Sequence, residues 1–542
     1  MLKVLNGLTA IRLTRKQKRK STAALPPVLK QDLGFPQLYG ALLQVITPSG
    51  IQASNSHLFK GAIFGRDSLR VALDLLPRYP SVSELAITSL ARLQGSKSNT
   101  LNEEEPGKIP HEYRNLFVGS EKVQQEQQAI MKTLAKQWGW SEHERELCYY
   151  GSVDATPQFI RLVCLFRRQY GDEILNKEVL HRNGNLISIK DSVLAAARWT
   201  AAKIEESEIC LLEFQQSHPE SLKWQVMRDG STAYLHPDGT LANVGAPIAS
   251  FEVQGLAYDA LAMAAELFIQ ERPTEVDQWL SLAKKLQAST LQLFWMEREQ
   301  FFAMAVDRDN NRRIRQLKTI TSVPSEVLET SLFDTIEHDQ RVRYVEAITR
   351  KLYSPDFLTE AGIRSRALRH FGAIDYYDYQ GSGVSWPVMT NAFALGLRKQ
   401  GLCRLARDLE NRIINAANVS GSLNEFFYVT PDGRVNYQPV GASHEHESEH
   451  EVIYGTSIPE HIQAWTVSAV LRAKLTQSEN NEELANNDYA RLESELLLQH
   501  GVQLLETHEV CDVSSRRCRF LINQTEAQRR EIALLQREGH IT

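Results

Sequence analysis

The chain has 542 residues, more than a usual single domain, so two or three domains or one large repetitive one are expected. Its 42% hydrophobic and 23% charged residues are those of an ordinary globular protein, and a net charge of −5 supplies no basic field for a nucleic-acid backbone. No apolar run reaches the ~18 residues of a membrane-spanning helix. Six scattered cysteines (148, 164, 210, 403, 511 and 518) make no disulfide framework, so reduced thiols in a cytoplasmic protein are the expectation.

In chain order, the first 30 residues carry eight Lys or Arg, and no acid precedes Asp32. They read as a basic, flexible tail (1–35), an Arg-rich organellar leader being the other reading. From 36 to about 475 apolar residues recur at three- and four-residue spacing, predicting helices over 36–47, 67–78, 81–94, 122–138, 154–170, 189–206, 247–270, 274–297, 338–351, 387–400, 401–417 and 458–475. Strand signals are short: 300–306 before an Asp-Arg-Asp-Asn-Asn turn, and 426–437 turning at Asp432-Gly433. About a dozen helices broken by small hairpins exclude a doubly wound sheet. No matched period of 34 or 40 residues is present, and the long polar connections favour an all-α toroid of αα-hairpins over a solenoid. This barrel is assigned to 36–475, a polar linker to 476–490, and a C-terminal appendix to 491–542 whose Leu-rich 492–505 stretch is suited to docking on the barrel wall.

Polar, Gly- and aromatic-rich loops stand at the helix ends, where a helical scaffold can place a site without burying unpaired groups. They are Phe59–Arg70, Glu103–Arg114, Trp224–Gly239, Ala246–Gly255, Tyr376–Pro387 and Ser422–Phe427. Each taken alone reads better as a capped helix with solvated charges; their number is the signal. Hydrolysis of a glycosidic bond needs one carboxyl to protonate the departing oxygen and a second to attack the sugar or activate water. Asp229 and Glu425, 196 residues apart in two such loops, suit this division. Trp224, Trp386 and Tyr377 are candidates to stack on sugar rings; Arg66, Asp67, His111 and Gln254 are candidates to bond hydroxyls, with Arg66 and Asp67 pairing to each other. A closed helical barrel offers one central pit, which favours a terminal sugar over the middle of a polymer.

The order Gly65-Arg66-Asp67, Gly107–Glu112, Tyr150–Pro157, Arg228-Asp229, Pro247–Gln254, Gly383–Pro387, Asn424–Phe427 and Gln463-Ala464-Trp465 resembles the six-hairpin glycosidases. The likeness is greatest to the amylo-α-1,6-glucosidase domain of glycogen debranching enzymes and its stand-alone bacterial relatives, and it spans roughly 55–470. The resemblance implies an (α/α)6 barrel and hydrolysis with inversion, Asp229 being the general acid and Glu425 the general base. It also implies substrate contacts from Arg66, Asp67, His111, Glu112, Asp154, Arg228, Glu252, Gln254, Trp386, Gln463 and Trp465, with no cofactor or metal. The chain departs from the family pattern twice, at Lys223–Met227 before the acid and at Tyr379–Val388, which lacks the family's His and second Trp. The expected partner is a small glycoside or oligosaccharide, not nucleic acid or a membrane; the residues specify no oligomeric state.

Two other readings remain. A sugar 2-epimerase on the same barrel would use paired histidines as acid and base, and His444-Glu-His446-Glu-Ser-Glu-His450 would supply them or a metal site, although its alternation with Glu reads as a solvated acidic loop. A carbohydrate-binding protein on a decayed barrel would explain the altered loops around Trp224 and Trp386, against the retained Asp229 and Glu425.

Overall fold

The computed structural model describes residues 33–55, 59–115, 125, 128, 146–230, 232–370, 376, 378–435, 459–478 and 488–500. Its α-helices are α1 (Phe35–Val45), α2 (Gly65–Leu75), α3 (Pro80–Leu93), α4 (Ala155–Tyr170), α5 (Ile189–Glu206), α6 (Phe251–Phe268), α7 (Pro273–Phe294), α8 (His338–Leu352), α9 (Pro387–Lys399), α10 (Cys403–Ser420), α11 (Ala464–Ser478) and α12 (Ala490–Gln499). Prolines in the first turn open α1, α3, α7 and α9, where the missing N–H has no intrahelical partner to lose. The predicted helix at 122–138 falls almost wholly outside the described residues.

Burial separates the helices into two sets. Fifteen of the 18 residues of α6 are buried against six of the 22 in α7, so α6 is internal and α7 covers it with one apolar stripe. The internal members touch in a cycle: α2 packs on α4, α4 on α6, α6 on the short 3-10 segment Val323–Glu329, that segment on α9, α9 on α11, and α11 on α2 again. Each is backed by an outer helix, in the same order α3, α5, α7, α8, α10 and α1.

Polar groups as well as apolar ones lock the internal helices together. Arg70 bonds Asp74 at 2.7 Å and Glu329 at 2.8 Å, while Arg161 bonds Asp259 at 2.7 Å and Glu329 at 3.3 Å. Asn391 and Ser468 donate to the two oxygens of Asp74 at 2.9 and 2.8 Å. The belt thus joins all six internal members, and each buried charge in it has an opposite partner.

Small sheets staple the loops at the N-terminal ends of these helices. Ala62–Phe64, Glu112–Asn115 and Glu146–Tyr149 form one sheet, with Phe64 opposite Glu112 and Glu112 opposite Tyr149. Gly65 lets this sheet run into α2, because a Cβ there would lie 2.2 Å from the Pro110 carbonyl oxygen. Val384–Ser385 pairs with Phe427–Tyr428. Gly433, at φ +85°, turns the chain back at the predicted hairpin. The predicted 300–306 strand is split into Phe301–Phe302 and Ala305–Arg308, the second forming a hairpin with Ile314–Leu317.

The boundaries of the predicted linker shift: α11 continues to Ser478 and α12 begins at Ala490. The start of the appendix is packed down, with Tyr489, Leu492, Leu496 and Leu497 buried in the main core. Among the described residues no helix is long and apolar enough to cross a membrane.

Candidate active site

The first turns of the internal helices converge. Arg66 at the start of α2 donates from Nε to Asp154 Oδ2, which precedes α4, at 2.6 Å, and its Nη1 lies 3.8 Å from Asp229 Oδ2. Asp67 accepts a 3.1 Å hydrogen bond from Gln463 Nε2, just before α11. Arg66 and Asp67 do not pair with each other as their adjacency suggests, because neighbours on a helix point to different faces. Each ties α2 to a different neighbouring helix.

Asp229 projects from the 224–236 loop with its side chain 31% exposed, the most open of the acids gathered here. Burial raises its pKa to about 6, the Arg66 charge opposing. The loop is anchored on both sides of it. Trp224 packs against Tyr234 with ring centroids 5.1 Å apart. Arg228 donates to the hydroxyl of Ser365, to Gln380 Oε1 at 3.1 Å and to Ser322 Oγ at 2.7 Å.

Glu425 is 2% exposed. The Tyr379 hydroxyl donates to its Oε1 at 2.6 Å and the Glu460 backbone N–H to its Oε2 at 3.3 Å. Trp465 Nε1 donates to the Glu425 carbonyl at 3.2 Å. Burial pushes the carboxyl up to about 8; the two donors oppose that shift, and Glu460 and Asp67 add to it. Tyr379 itself is held well above its usual value by burial and by the Glu425 and Asp229 charges, so its hydroxyl keeps its proton and remains a donor. The Tyr379 ring also reaches the Asp229 side, its Cδ1 lying 3.2 Å from where a Cβ on Gly230 would stand.

The rest of the recess is aromatic and polar. Trp386, 2% exposed, stands edge-on to Tyr379 at 4.7 Å and lies 5.8 Å from Trp465. His111 is buried edge-on between Phe64 and Tyr149. Burial, then the Arg66 and Lys108 charges, hold its imidazole well below the usual value, so it is neutral. Glu112 accepts from Arg114. Asp67 is raised to about 7, first by burial, with Arg66 opposing and Asp229 adding.

Three expected sugar contacts have other duties. Gln254 is fully buried and spends its amide on the Leu212 N–H and carbonyl and the Ser250 carbonyl, each at 2.9 Å. Trp224, 2% exposed, is part of the core beneath its loop. Arg228, 1% exposed, holds the loop from behind. Glu252 accepts from Ser250 and faces an internal chamber below Arg66, Asp154 and Trp465 that it shares with Glu326. Tyr377 and the 444–450 His-Glu run lie outside the described residues.

Sequence reading missed Tyr379, Glu460 and the pair Arg364 and Arg366. Tyr379 sits in a quoted loop but resembles the other tyrosines around it. The two arginines show no pattern in sequence, because their partners are backbone carbonyls and the Tyr376 hydroxyl, none nearer than 12 residues along the chain.

No protein-family model matches the chain, and no curated protein matches it in sequence. Solved structures share its fold. The chain is similar to GH63 mannosylglycerate hydrolase from Thermus thermophilus in complex with glucose, at TM-score 0.52 and 14% identity over 81% of this chain and 99% of that one. The same enzyme with Tris and D-glycerate gives 0.52 and 13% over 81% and 98%. An uncharacterized conserved protein from Thermus thermophilus gives 0.51 and 12% over 81% and 98%.

Proposed function

We propose that this chain is a glycoside hydrolase that removes a terminal α-linked sugar with inversion, on helices closed into an (α/α)6 toroid. The observation that carries the reading is the pair of Asp229 and Glu425. Both are carboxyls raised by burial, and the two sides of the Tyr379 ring link them: its hydroxyl bonds Glu425 and its Cδ1 borders the residue after Asp229. A solved structure of the same fold, by name a mannosylglycerate hydrolase, supports a hydrolase of glycosidic bonds.

Asp229 is the proposed acid, being the more exposed and carried on a loop that can reach a departing oxygen. Glu425 is the proposed base, because both of its oxygens already receive donors and its carboxylate form is the one they fit. Their pKa values of about 6 and about 8 run the other way, leaving a proton on Glu425 before Asp229 at neutral pH. The two orders of protonation give the same bell-shaped profile. Replacement chemistry separates them. Asp229→Asn should keep activity on aryl glycosides whose leaving group needs no proton, and lose about 10²–10⁴-fold on alkyl glycosides. Glu425→Gln should lose both. The reverse pattern would exchange the roles, and retention at the anomeric carbon by NMR would exclude inversion, which also requires a carboxyl separation of roughly 6.5–9.5 Å.

The sugar is proposed to be glucosyl, in the manner of amylo-α-1,6-glucosidases, held by Arg66, Asp67, His111, Gln463 and Trp465 with Trp386 behind. The neighbour's name makes α-mannosides the second set to screen. The four described cysteines are all free thiols, which supports placing the enzyme in a reducing compartment such as the cytoplasm.

A further inference from the structure

We propose that the tripeptide Arg364-Ser365-Arg366 is the positioning segment of this site, fixing the Asp229 loop relative to the Tyr379–Glu425 side. The proposal rests on the hydrolase reading and adds residues that do not touch the substrate.

All three side chains act on segments that carry a reacting group. Arg366 Nη2 donates to the carbonyls of Thr232 and Ala233, at 3.1 and 3.3 Å, just downstream of Asp229. Ser365 Oγ receives Arg228, just upstream of it. On the other side, Arg364 Nη1 donates to the Tyr376 hydroxyl at 2.6 Å and the Ser382 carbonyl at 2.8 Å, which bracket Tyr379. Its Nη2 donates to the carbonyls of Thr430 and Pro431, at 2.8 and 2.9 Å, in the turn of the hairpin that Glu425 enters. The tripeptide is held in turn by backbone bonds from Arg364 N to the Phe357 carbonyl and from Ser365 N to the Val384 carbonyl, at 2.9 and 2.8 Å.

The charge pattern argues against a merely stabilising role. Arg228, Arg364 and Arg366 are at most 1% exposed, and no carboxylate pairs with any of them within ion-pair distance among the described residues. Among the described residues Arg366 Nε and Nη1 have no hydrogen-bond partner. Burial, and next the Arg228 charge, draw its pKa down to about 10. Asp378 opposes that shift without closing to ion-pair distance, and a buried cation without a close carboxylate destabilises a fold, so an apolar side chain of similar volume would be favoured there. What these arginines supply instead is a rigid fork reaching carbonyls on two loops at once.

The test compares Arg366→Met, Arg366→Lys and Arg366→Ala with the wild type, on whichever glycoside the wild type turns over. A displacement of the acid by about 1 Å predicts a kcat lower by roughly 10- to 100-fold with KM little changed. Melting temperature should stay equal or rise in Arg366→Met, and low-millimolar guanidinium should restore part of the kcat of Arg366→Ala. Hydrogen exchange should quicken at 228–235 in all three. A folded Arg366→Met with wild-type kcat and unaltered exchange overturns the proposal, as does a kcat loss matched by a fall in melting temperature without guanidinium rescue. If the wild type cleaves no glycoside, the hydrolase reading fails, and the exchange at 228–235 still decides whether Arg366 positions that loop.

Discussion

The Tyr379 hydroxyl donates a 2.6 Å hydrogen bond to Glu425 Oε1, and the same ring borders Gly230, the neighbour of Asp229. Because Tyr379 keeps its proton, this bond favours the ionised form of Glu425 at every working pH. Tyr379→Phe removes a donor to a charged group, an interaction of about 1.5–3 kcal/mol. Glu425 should then titrate still higher. Its carboxylate is the proposed working form and its pKa is the higher of the two, so the alkaline limb of kcat/KM should move to higher pH and the rate at neutral pH fall by roughly tenfold or more. An unshifted alkaline limb in Tyr379→Phe would remove Glu425 as the group that sets it.

Asp67 gives the opposite sign. Its charge is among the influences that raise Glu425. Asp67→Asn should therefore lower the Glu425 pKa and carry the alkaline limb to lower pH. The substitution also takes away the negative acceptor proposed for substrate hydroxyls, so kcat/KM should fall by about ten- to a hundredfold. A pH–rate series on Asp67→Asn reads both effects, and intact specificity on every cleaved glycoside would take Asp67 out of the pocket.

Much of the scaffold is legible in the sequence for a local reason: α9 is predicted over 387–400 and found at Pro387–Lys399, since a first-turn proline and a 3.6-residue apolar pattern mark it independently of the rest of the chain. Where a boundary is set from far away the reading slips. The helix predicted from 247 begins at Phe251, because Ala249–Ser250 pairs as strand with Ala305–Val306. The same distinction runs through the site. Arg66, Asp67, Asp154 and Gln463 come together because each stands at the opening of an internal helix, which loop composition reveals. Gln254 occupies a similar place in α6 yet turns to the Leu212 backbone, a partner 42 residues away that no motif announces.

The chamber below the site predicts how stability varies with pH. Glu252 and Glu326 are raised to about 7 and about 8, in both cases by burial first. An unfolded glutamate titrates near ~4.3, so between that pH and about 8 the folded state holds protons that the unfolded state has released. Stability from these groups is therefore complete below the unfolded pKa and is lost as pH rises through the folded values. Melting temperature should be higher at pH 6 than at pH 8.5, and the double variant Glu252→Gln with Glu326→Gln should flatten that slope. A melting temperature that rises over the same interval in the wild type would show that these carboxyls are ionised throughout.

The last prediction concerns α12. Glu493 is wholly buried and its Oε1 accepts from the backbone N–H groups of Arg404 and Leu405, at 2.7 and 3.2 Å, in the first turn of α10. Its Oε2 takes Arg404 Nε at 2.7 Å. One side chain from the start of the appendix thus caps α10, satisfying donors that the helix cannot satisfy itself and placing negative charge at its positive end. Arg404 is 42% exposed and solvates readily once released, so the loss lies mainly in the two N–H bonds. Glu493→Ala should destabilise by about 1–2 kcal/mol, the scale of a lost helix cap. Because Leu492, Leu496 and Leu497 remain docked, the variant should fold and keep its turnover at 25 °C. Removal of everything after Ser478 should lower the melting temperature further, since it also uncovers that apolar face. Calorimetric melting of both variants checks the order, and an unchanged melting temperature in the truncated chain would show that α12 rests on α10 without stabilising the fold.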